Sequence, residues 1–198
     1  TTGASNVAIG MNALDANTTA SNNVAIGEDA LGDNTTGANN TAIGHAALAD
    51  NTTNNDNVAI GYFSMRYNTT GYQNTAVGKG SLQANTTGNF NTAVGDQALE
   101  GNTTAEYSVA VGLKALEVSN ATRNTAVGSF NSSKTTTGAY NTSIGYGAFY
   151  ENTTGGNCVS IGYGSLDANT TGNNNTAVGG MSLSGTTTGN NNTAVGRA

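Results

Sequence analysis

Apolar and polar residues follow one another along this chain in a pattern that repeats at a fixed interval. The anchor is a β-branched apolar residue followed by glycine, as in Val94-Gly95, and the glycine returns every 17 residues, with one step of 16. Twelve copies fill the chain, with anchor glycines at Gly10, Gly27, Gly44, Gly61, Gly78, Gly95, Gly112, Gly128, Gly145, Gly162, Gly179 and Gly196. A fixed short period is the signature of a repeat architecture.

Each unit places its residue types in the same order. The segment Asn91-Thr92-Ala93-Val94 is rich in β-branched residues and predicts a short strand, and the glycine with its two variable followers predicts a turn. Ala98-Leu99 with its neighbours predicts a second strand, and Asn85-Thr86-Thr87-Gly88 is typical of a second turn. Gly, Asn and Thr-Thr interrupt any helical apolar stripe within a unit, which excludes a helix.

A unit of two short strands and two turns predicts one coil of a parallel β-solenoid or β-roll. We therefore expect an all-β fold of about twelve 17-residue coils in a single repeat domain spanning residues 1–198. Stacked coils place each residue about 4.8 Å from its equivalent. Stacked like charges destabilise a sheet, which fits a charged content of only 9%. We expect the Asn amides to hydrogen-bond along the stack.

One unit departs from the pattern. After Gly128 the position that holds leucine elsewhere is Ser132, and Phe130 lies two residues before it. The turn preceding this unit is also one residue short. We expect Phe130 to fill the gap that Ser132 leaves in the core, with a local kink in the solenoid there.

The first strand is apolar on both of its faces. Alternation puts Thr92 and Val94 on one face and Ala93 on the other. One face meets leucine across a narrow interior, so the other needs a second layer, which another chain supplies most simply. The alanine position is Ala or Ser in all twelve copies, and this uniform smallness predicts the close approach of a second chain.

Charge and targeting signals limit the partners. A net charge of −6, with six scattered Lys and Arg residues, argues against nucleic acid or an anionic membrane as a partner. No run resembles a signal peptide or a membrane span, so direct membrane insertion of this segment is not expected. The chain opens inside a turn and stops just after an anchor, which leads us to expect a fragment of a longer fibrous protein.

The residues of the repeat carry a family resemblance. Asn6-Val7-Ala8-Ile9-Gly10 and Asn57-Val58-Ala59-Ile60-Gly61 resemble the Asn-Ser-Val-Ala-Ile-Gly core of the head repeats of YadA-like trimeric autotransporter adhesins. The Asn-Thr-Thr-Gly turns and Ala-Leu pairs are also similar to shaft repeats of bacterial and phage tail-fibre-like proteins. The resemblance covers the whole chain, although the adhesin unit is shorter. It implies a left-handed roll assembled as a homotrimer.

In a roll of this kind the alanine row faces the three-fold axis and the Val, Ile and Leu rows face the interior. The predicted oligomer seam comprises Ala8, Ala25, Ala42, Ala59, Ala76, Ala93, Ala110, Ala126, Ala177 and Ala194. The predicted roll core comprises Ile9, Ile26, Ile43, Ile60, Val77, Val94, Leu14, Leu31, Leu48, Leu82, Leu99, Leu116 and Leu166.

Residues with catalytic or ligand chemistry are few. His45 is the only histidine and Glu28-Asp29 the only adjacent acidic pair, and both are interpreted as solvated turn residues. No Ser-His-Asp or Cys-His set can be assembled, and Gly78-Lys79-Gly80 lacks a phosphate-binding fingerprint. Cys158 replaces a ladder Asn and is expected to be a packed thiol. We therefore predict no catalytic residue, no cofactor site and no metal site in a protein that is not an enzyme.

Two surface features allow more than one interpretation. Asn17-Thr18-Thr19 and its equivalents match the N-glycosylation sequon, but turn chemistry repeated for structural reasons is favoured. Several aromatic residues form either an exposed adhesive patch or caps on the roll interior: Tyr62, Phe63, Tyr146, Phe149, Tyr150 and Tyr163.

Together these patterns predict a non-catalytic structural or adhesive segment of an extracellular surface fibre, either an adhesin head or a tail-fibre-like shaft, on a cell or a virion. A host, matrix or glycan surface is the expected partner besides other copies of the chain. The alternative is an ice-binding β-solenoid that uses threonine ladders. Thr86 and Thr87 point to opposite faces and lie in a turn, which argues against that alternative.

Overall fold

The chain folds as a parallel β-solenoid. In a computed structural model that describes residues 2–198, each unit contributes one three-residue strand, and the strands pair in parallel, in chain order, into one twelve-stranded sheet. The strands are β1 (Val7–Ile9), β2 (Val24–Ile26), β3 (Thr41–Ile43), β4 (Val58–Ile60), β5 (Thr75–Val77), β6 (Thr92–Val94), β7 (Val109–Val111), β8 (Thr125–Val127), β9 (Thr142–Ile144), β10 (Val159–Ile161), β11 (Thr176–Val178) and β12 (Thr193–Val195). About eleven turns of chain join them, which confirms the predicted all-β solenoid.

The pairing register follows the sequence period. Ala93 pairs with Ala110 and Val94 with Val111, so identical or similar side chains stack in rows. The single 16-residue step falls between β7 and β8 and keeps this register, with Val111 opposite Val127. Between residues 2 and 198 there is no helix with the length and apolar character needed to cross a membrane.

The anchor glycines end each strand because the backbone there excludes a side chain. Gly44 has φ +134°, a conformation that residues with a Cβ atom rarely adopt. A Cβ atom at Gly44 would also lie 2.5 Å from the carbonyl oxygen of Gly61 in the next coil. Stacking of successive turns therefore depends on glycine at this position.

The predicted second strand is absent. The segment around Ala98-Leu99 is a turn-like run, and Leu99 itself adopts the left-handed conformation, with φ +51°. Its backbone still bonds the next coil, because the Leu99 N–H donates to the Ala115 carbonyl at 3.0 Å. Gln97 is also left-handed, with φ +58°, so the segment curls instead of extending. Each coil therefore has one strand, and the prediction of two was wrong.

The solenoid interior is built from the leucine and alanine rows. Leu99 and the other leucines of the predicted core are buried, as are Met65 and Phe149 in the same row. The alanine row is buried with them: Ala93 and its equivalents from Ala25 to Ala126 are 0% exposed within a single chain and belong to one cluster with the leucines. Only the terminal residues Ala8 and Ala194 are less buried.

This arrangement corrects the predicted seam and part of the predicted core. The alanine side chains cannot form a seam between chains, because their own coil already encloses them. Ile9, Ile26, Ile43, Ile60, Val77 and Val94 point outward and are half-buried or exposed instead of lining the interior. The physical reason is volume: a narrow coil that holds leucine on one side has room only for alanine or serine on the other.

Two rows of mostly buried asparagine run along the solenoid, one just before the strands and one in the Asn-Thr-Thr-Gly turns. In the row that precedes the strands, Asn57 Nδ2 donates to the Gly71 carbonyl at 3.0 Å, and Asn57 Oδ1 accepts the N–H of Asn74 at 3.0 Å. In the turn row, Asn85 Nδ2 donates to Asn68 Oδ1 at 2.8 Å. The predicted hydrogen bonding of amides along the stack is confirmed, and it satisfies polar groups that burial would otherwise penalise.

The unit containing Ser132 interrupts the apolar core, but Phe130 does not fill the gap. Ser132 Oγ lies 2.7 Å from Ser143 Oγ, and Asn131 accepts a hydrogen bond from Ser143, so a buried polar cluster occupies the space. Phe130 lies toward the surface against Tyr146, in the left-handed conformation. The expectation for Phe130 was wrong, because a side chain two residues from the leucine position turns away from the interior.

Candidate functional site: the outer face of the sheet

The strand residues that do not point into the coil form two parallel rows on the surface, which together we call the outer face. The first row is a mixture of valine and threonine: Val7, Val24, Thr41, Val58, Thr75, Thr92, Val109, Thr125, Thr142, Val159, Thr176 and Thr193. The second row is aliphatic throughout: Ile9, Ile26, Ile43, Ile60, Val77, Val94, Val111, Val127, Ile144, Ile161, Val178 and Val195.

The outer face carries no charged side chain along the whole solenoid, and one of its two rows is aliphatic throughout. Away from the ends, Val94 is 37% exposed and Ile144 41%, and the rest of the aliphatic row is exposed to a similar or smaller extent. Its length is about 53 Å, from eleven steps of about 4.8 Å, and a width of about 10 Å gives on the order of 500 Å². A continuous uncharged patch of that size, with an unbroken aliphatic row, is a candidate interaction surface.

The strand threonines differ from the turn threonines in what their hydroxyls do. In the turn row, Thr86 Oγ1 donates to the Thr103 carbonyl at 3.0 Å, and Thr35 bonds Thr52 in the same way. The hydroxyls of the strand threonines, such as Thr92, make no hydrogen bond to the described part of the chain and face solvent. The sequence argument placed the usable threonines in turns, but seven strand threonines lie on the sheet.

A stripe of aromatic residues borders the outer face on the side of the threonine–valine row. Phe90 and Tyr107 stack with ring centroids 4.9 Å apart, and Tyr72 meets Phe90 edge-on at 5.2 Å. Arg123 lies over Tyr107 at 5.3 Å and donates to the Tyr140 hydroxyl at 3.1 Å. These side chains are largely exposed, so the stripe widens the non-polar surface beside the outer face.

The aromatic residues singled out from the sequence are divided between core and surface. Phe149 is fully buried in the leucine row, whereas Tyr62, Tyr146 and Tyr163 are 48%, 57% and 63% exposed. Tyr62 stacks on His45 at 5.3 Å. One of the six therefore fills the interior, and most of the others are available to contact a partner.

The only histidine lies closer to the acidic pair than the sequence indicated. His45 Nε2 is 3.9 Å from Glu28 Oε2, and one ligand atom from each of Glu28, Asp29 and His45 lies within 4.8 Å of the others. The stacking of coils brings them together, since His45 is the 17-residue equivalent of Glu28. All three remain partly exposed, and Asp29 accepts a hydrogen bond from Asn12 at 2.9 Å.

The remaining sequence candidates have structural contacts. Cys158 is buried in the Asn row, where its Sγ lies 3.4 Å from the Gly172 carbonyl, and burial raises the pKa of its thiol. The sequon Asn85 is fully buried and uses its amide within the ladder, donating to the Gly88 carbonyl at 3.0 Å. Asn102 is buried in the same way. At these positions Asn-Thr-Thr forms a structural turn, which is the interpretation that the sequence analysis preferred to a glycosylation site.

These features define the class of the protein as a β-solenoid repeat protein with a long uncharged outer face. Comparisons of the chain with protein families, with curated proteins and with solved structures find no match.

Proposed function

We propose that this chain is a shaft or head segment of an extracellular fibre and that copies of it associate through the outer face. The observation that carries the proposal is the unbroken pair of β-branched rows, which lack charge over all twelve strands. Charged side chains on such a face would oppose association of chains, and none is present. The role is structural and adhesive, with no catalytic step.

The size of the outer face supports association of more than one chain. A standard interface buries about 800 Å² per partner, and the outer face alone offers on the order of 500 Å². The bordering aromatic stripe and the anchor turns supply the remainder when copies pack side by side. The resemblance to YadA-like head repeats favours three chains around one axis, in a left-handed roll on a cell surface or a virion.

The internal hydrogen bonds support a mechanical role under tension. Successive coils are bonded through strand backbone and turn backbone, and most are also bonded through two asparagine rows, so tension along the axis is shared among many bonds. The outer tyrosines present the same chemistry repeatedly along the shaft, which suits adhesion to a matrix or glycan surface.

Association is tested by charging the outer face. We expect light scattering to give the wild-type chain the mass of an oligomer, three chains if the family resemblance holds. The double variant Val77→Glu/Val94→Glu should have the mass of one chain, because stacked carboxylates in a dry interface are costly. The control Thr87→Glu/Thr104→Glu places the same charges on exposed turn residues of adjacent coils and should remain oligomeric. A wild type with the mass of one chain would refute the proposal.

Ice binding is a second candidate, favoured by the free hydroxyls of the strand threonines on the outer face of the sheet. The two functions compete for one surface, since a face covered by another chain cannot meet ice. Five of the twelve positions in that row are valine, which breaks the array of hydroxyls. We therefore expect no thermal hysteresis and unshaped ice crystals at micromolar protein. Faceted crystals that disappear in the Val77→Glu/Val94→Glu variant would establish ice binding in place of the fibre.

A further inference from the structure

The two residues after each anchor glycine form surface rows of their own, and two neighbouring coils lack a side chain in the second row. Gly147 and Gly164 occupy that row with φ +59° and +57°. Phe130 and Met181 hold the same position in the flanking coils with φ +54° and +59°. The backbone therefore does not require glycine at this position. Because glycine has no side chain, the row of side chains on the surface is interrupted at these two coils.

The gap is open at Gly147. A Cβ atom there would meet nothing within 4 Å, whereas at Gly80, in the same row, it would lie 3.3 Å from Gln83 Oε1. At Gly164 the Met181 sulfur covers the space, 2.7 Å from the position a Cβ would take. The result is a groove of ≈ 540 Å³ with Phe130 at one end and Met181 at the other. This volume is typical of small-ligand sites.

One wall of the groove is an aromatic stack. The rings of Tyr146 and Tyr163 are nearly parallel, at 14°, with centroids 6.0 Å apart, and Phe130 meets Tyr146 edge-on. The residue that follows Tyr163 in its row is Gly180, which has no side chain to cover the far face of the tyrosine ring. Tyr163 accordingly is 63% exposed and offers a free aromatic face.

The other wall supplies two carboxylates, one of which has an oxygen without a hydrogen-bond partner. Asp167 lines the groove, and its Oδ1 atom is buried yet has no hydrogen-bond partner. Burial raises the pKa of this carboxyl, although backbone N–H groups oppose that shift. Glu151 on the same side is already paired with Lys134 at 2.7 Å. Asp167 as a whole is only half-buried, so its carboxylate remains able to accept a hydrogen bond from a donor on a ligand.

We propose that this groove binds one neutral pyranose ring of a glycan. The C–H face of the sugar packs on the free face of Tyr163, and its hydroxyls donate to the Asp167 carboxylate. The hydroxyls of Tyr146 and Tyr150, which make no hydrogen bond to the described part of the chain, can both donate to and accept from a sugar. A cation is a poorer fit, because Lys134 already lies 4.6 Å from the centre of the Tyr150 ring.

The proposal does not depend on association of chains, since one chain contributes every residue of the groove. The two proposals can therefore fail independently. The groove is tested by measuring ligand binding, and the fibre proposal is tested by measuring the mass of the assembly.

Binding is tested by saturation-transfer NMR with the methyl glycosides of glucose, galactose, mannose and N-acetylglucosamine, with tetramethylammonium as a cation probe. We expect at least one glycoside to bind with Kd on the order of 1 mM, as suits a ligand of this size. Gly147→Gln should weaken binding at least tenfold by filling the groove. Gly80→Gln makes the same change in the same row outside the groove and should leave binding unchanged.

Asp167→Asn keeps the size of the side chain. It should weaken binding of the same glycoside about tenfold if the carboxylate accepts hydrogen bonds from the sugar hydroxyls. The proposal is overturned if no glycoside binds, or if Gly147→Gln and Gly80→Gln have equal effects. The proposal is also overturned if tetramethylammonium binds while no glycoside does. If that binding is lost in Asp167→Asn, the groove is a cation site.

Discussion

Ala93→Glu is expected to unfold the coil that contains it, whereas Val94→Glu, one residue further on, should leave the coil folded. Ala93 is 0% exposed and faces the leucine row inside a single chain. A glutamate there has neither water nor a partner, and burial of an unpaired charge costs several kcal/mol. Val94 is 37% exposed on the outer face, so its carboxylate reaches solvent.

The mass of each protein is first measured by light scattering, and the wild type and both variants are then diluted to the mass of one chain for circular dichroism melting and hydrogen exchange. Dilution matters because association stabilises the folded state by mass action. We expect Ala93→Glu to lose exchange protection in β6 and its neighbours and Val94→Glu to melt within a few degrees of the wild type. A folded Ala93→Glu variant that differs from the wild type only in mass would show that the alanine row faces a partner chain, as the sequence alone suggested.

The period made the stacking direction and register predictable from the sequence. A recurring Asn-Thr-Ala-Val-Gly unit can stack in parallel only if equivalent residues lie above one another, and the pairing of Ala93 with Ala110 follows. The anchor glycines gave the strand ends, because a φ near +134° at Gly44 suits no other residue.

The orientation of the strand could not be read from its alternation. Thr92 and Val94 together have more apolar surface than Ala93, so the sequence alone favours burying the face that carries these two residues. The outcome is set by the opposite wall of the coil, where leucine takes most of the space. The left-handed backbone at Leu99, with φ +51°, was equally hidden, because leucine carries no local preference for it.

The outer face and the groove differ in how far the sequence reveals them. The outer face follows once the alanine row is known to be internal, since the two rows must then be external. The groove joins Tyr146, Tyr163 and Asp167 from two adjacent coils, and the sequence shows it only when units are aligned on their anchor glycines. In that alignment Gly147 and Gly164 stand where neighbouring units have Phe130 and Met181. The orphaned Asp167 oxygen has no signal in the sequence.

Leu99→Ala is expected to destabilise its coil by roughly 2–5 kcal/mol, the usual cost of truncating a buried leucine. Leu99 is 0% exposed and lies between Leu82 and Leu116 in the core row. The backbone tolerates alanine there, because Ala46 adopts φ +50° at another left-handed position. Gln97→Ala is the matched control: it changes a left-handed residue of the same coil, loses one bond to Glu100, and should cost about 1 kcal/mol or less.

The spatial extent of the Leu99→Ala effect tests how the solenoid holds together. Each coil contacts only its neighbours, so stability is the sum of coil and nearest-neighbour contributions. Hydrogen exchange should therefore accelerate around Leu99 and in the coils of Leu82 and Leu116, while β1 and β12 keep their protection. Unchanged exchange near Leu99 would mean that its side chain does not fill the interior. Equal acceleration in all twelve strands would mean that the solenoid unfolds as one cooperative unit, and the nearest-neighbour description would fail.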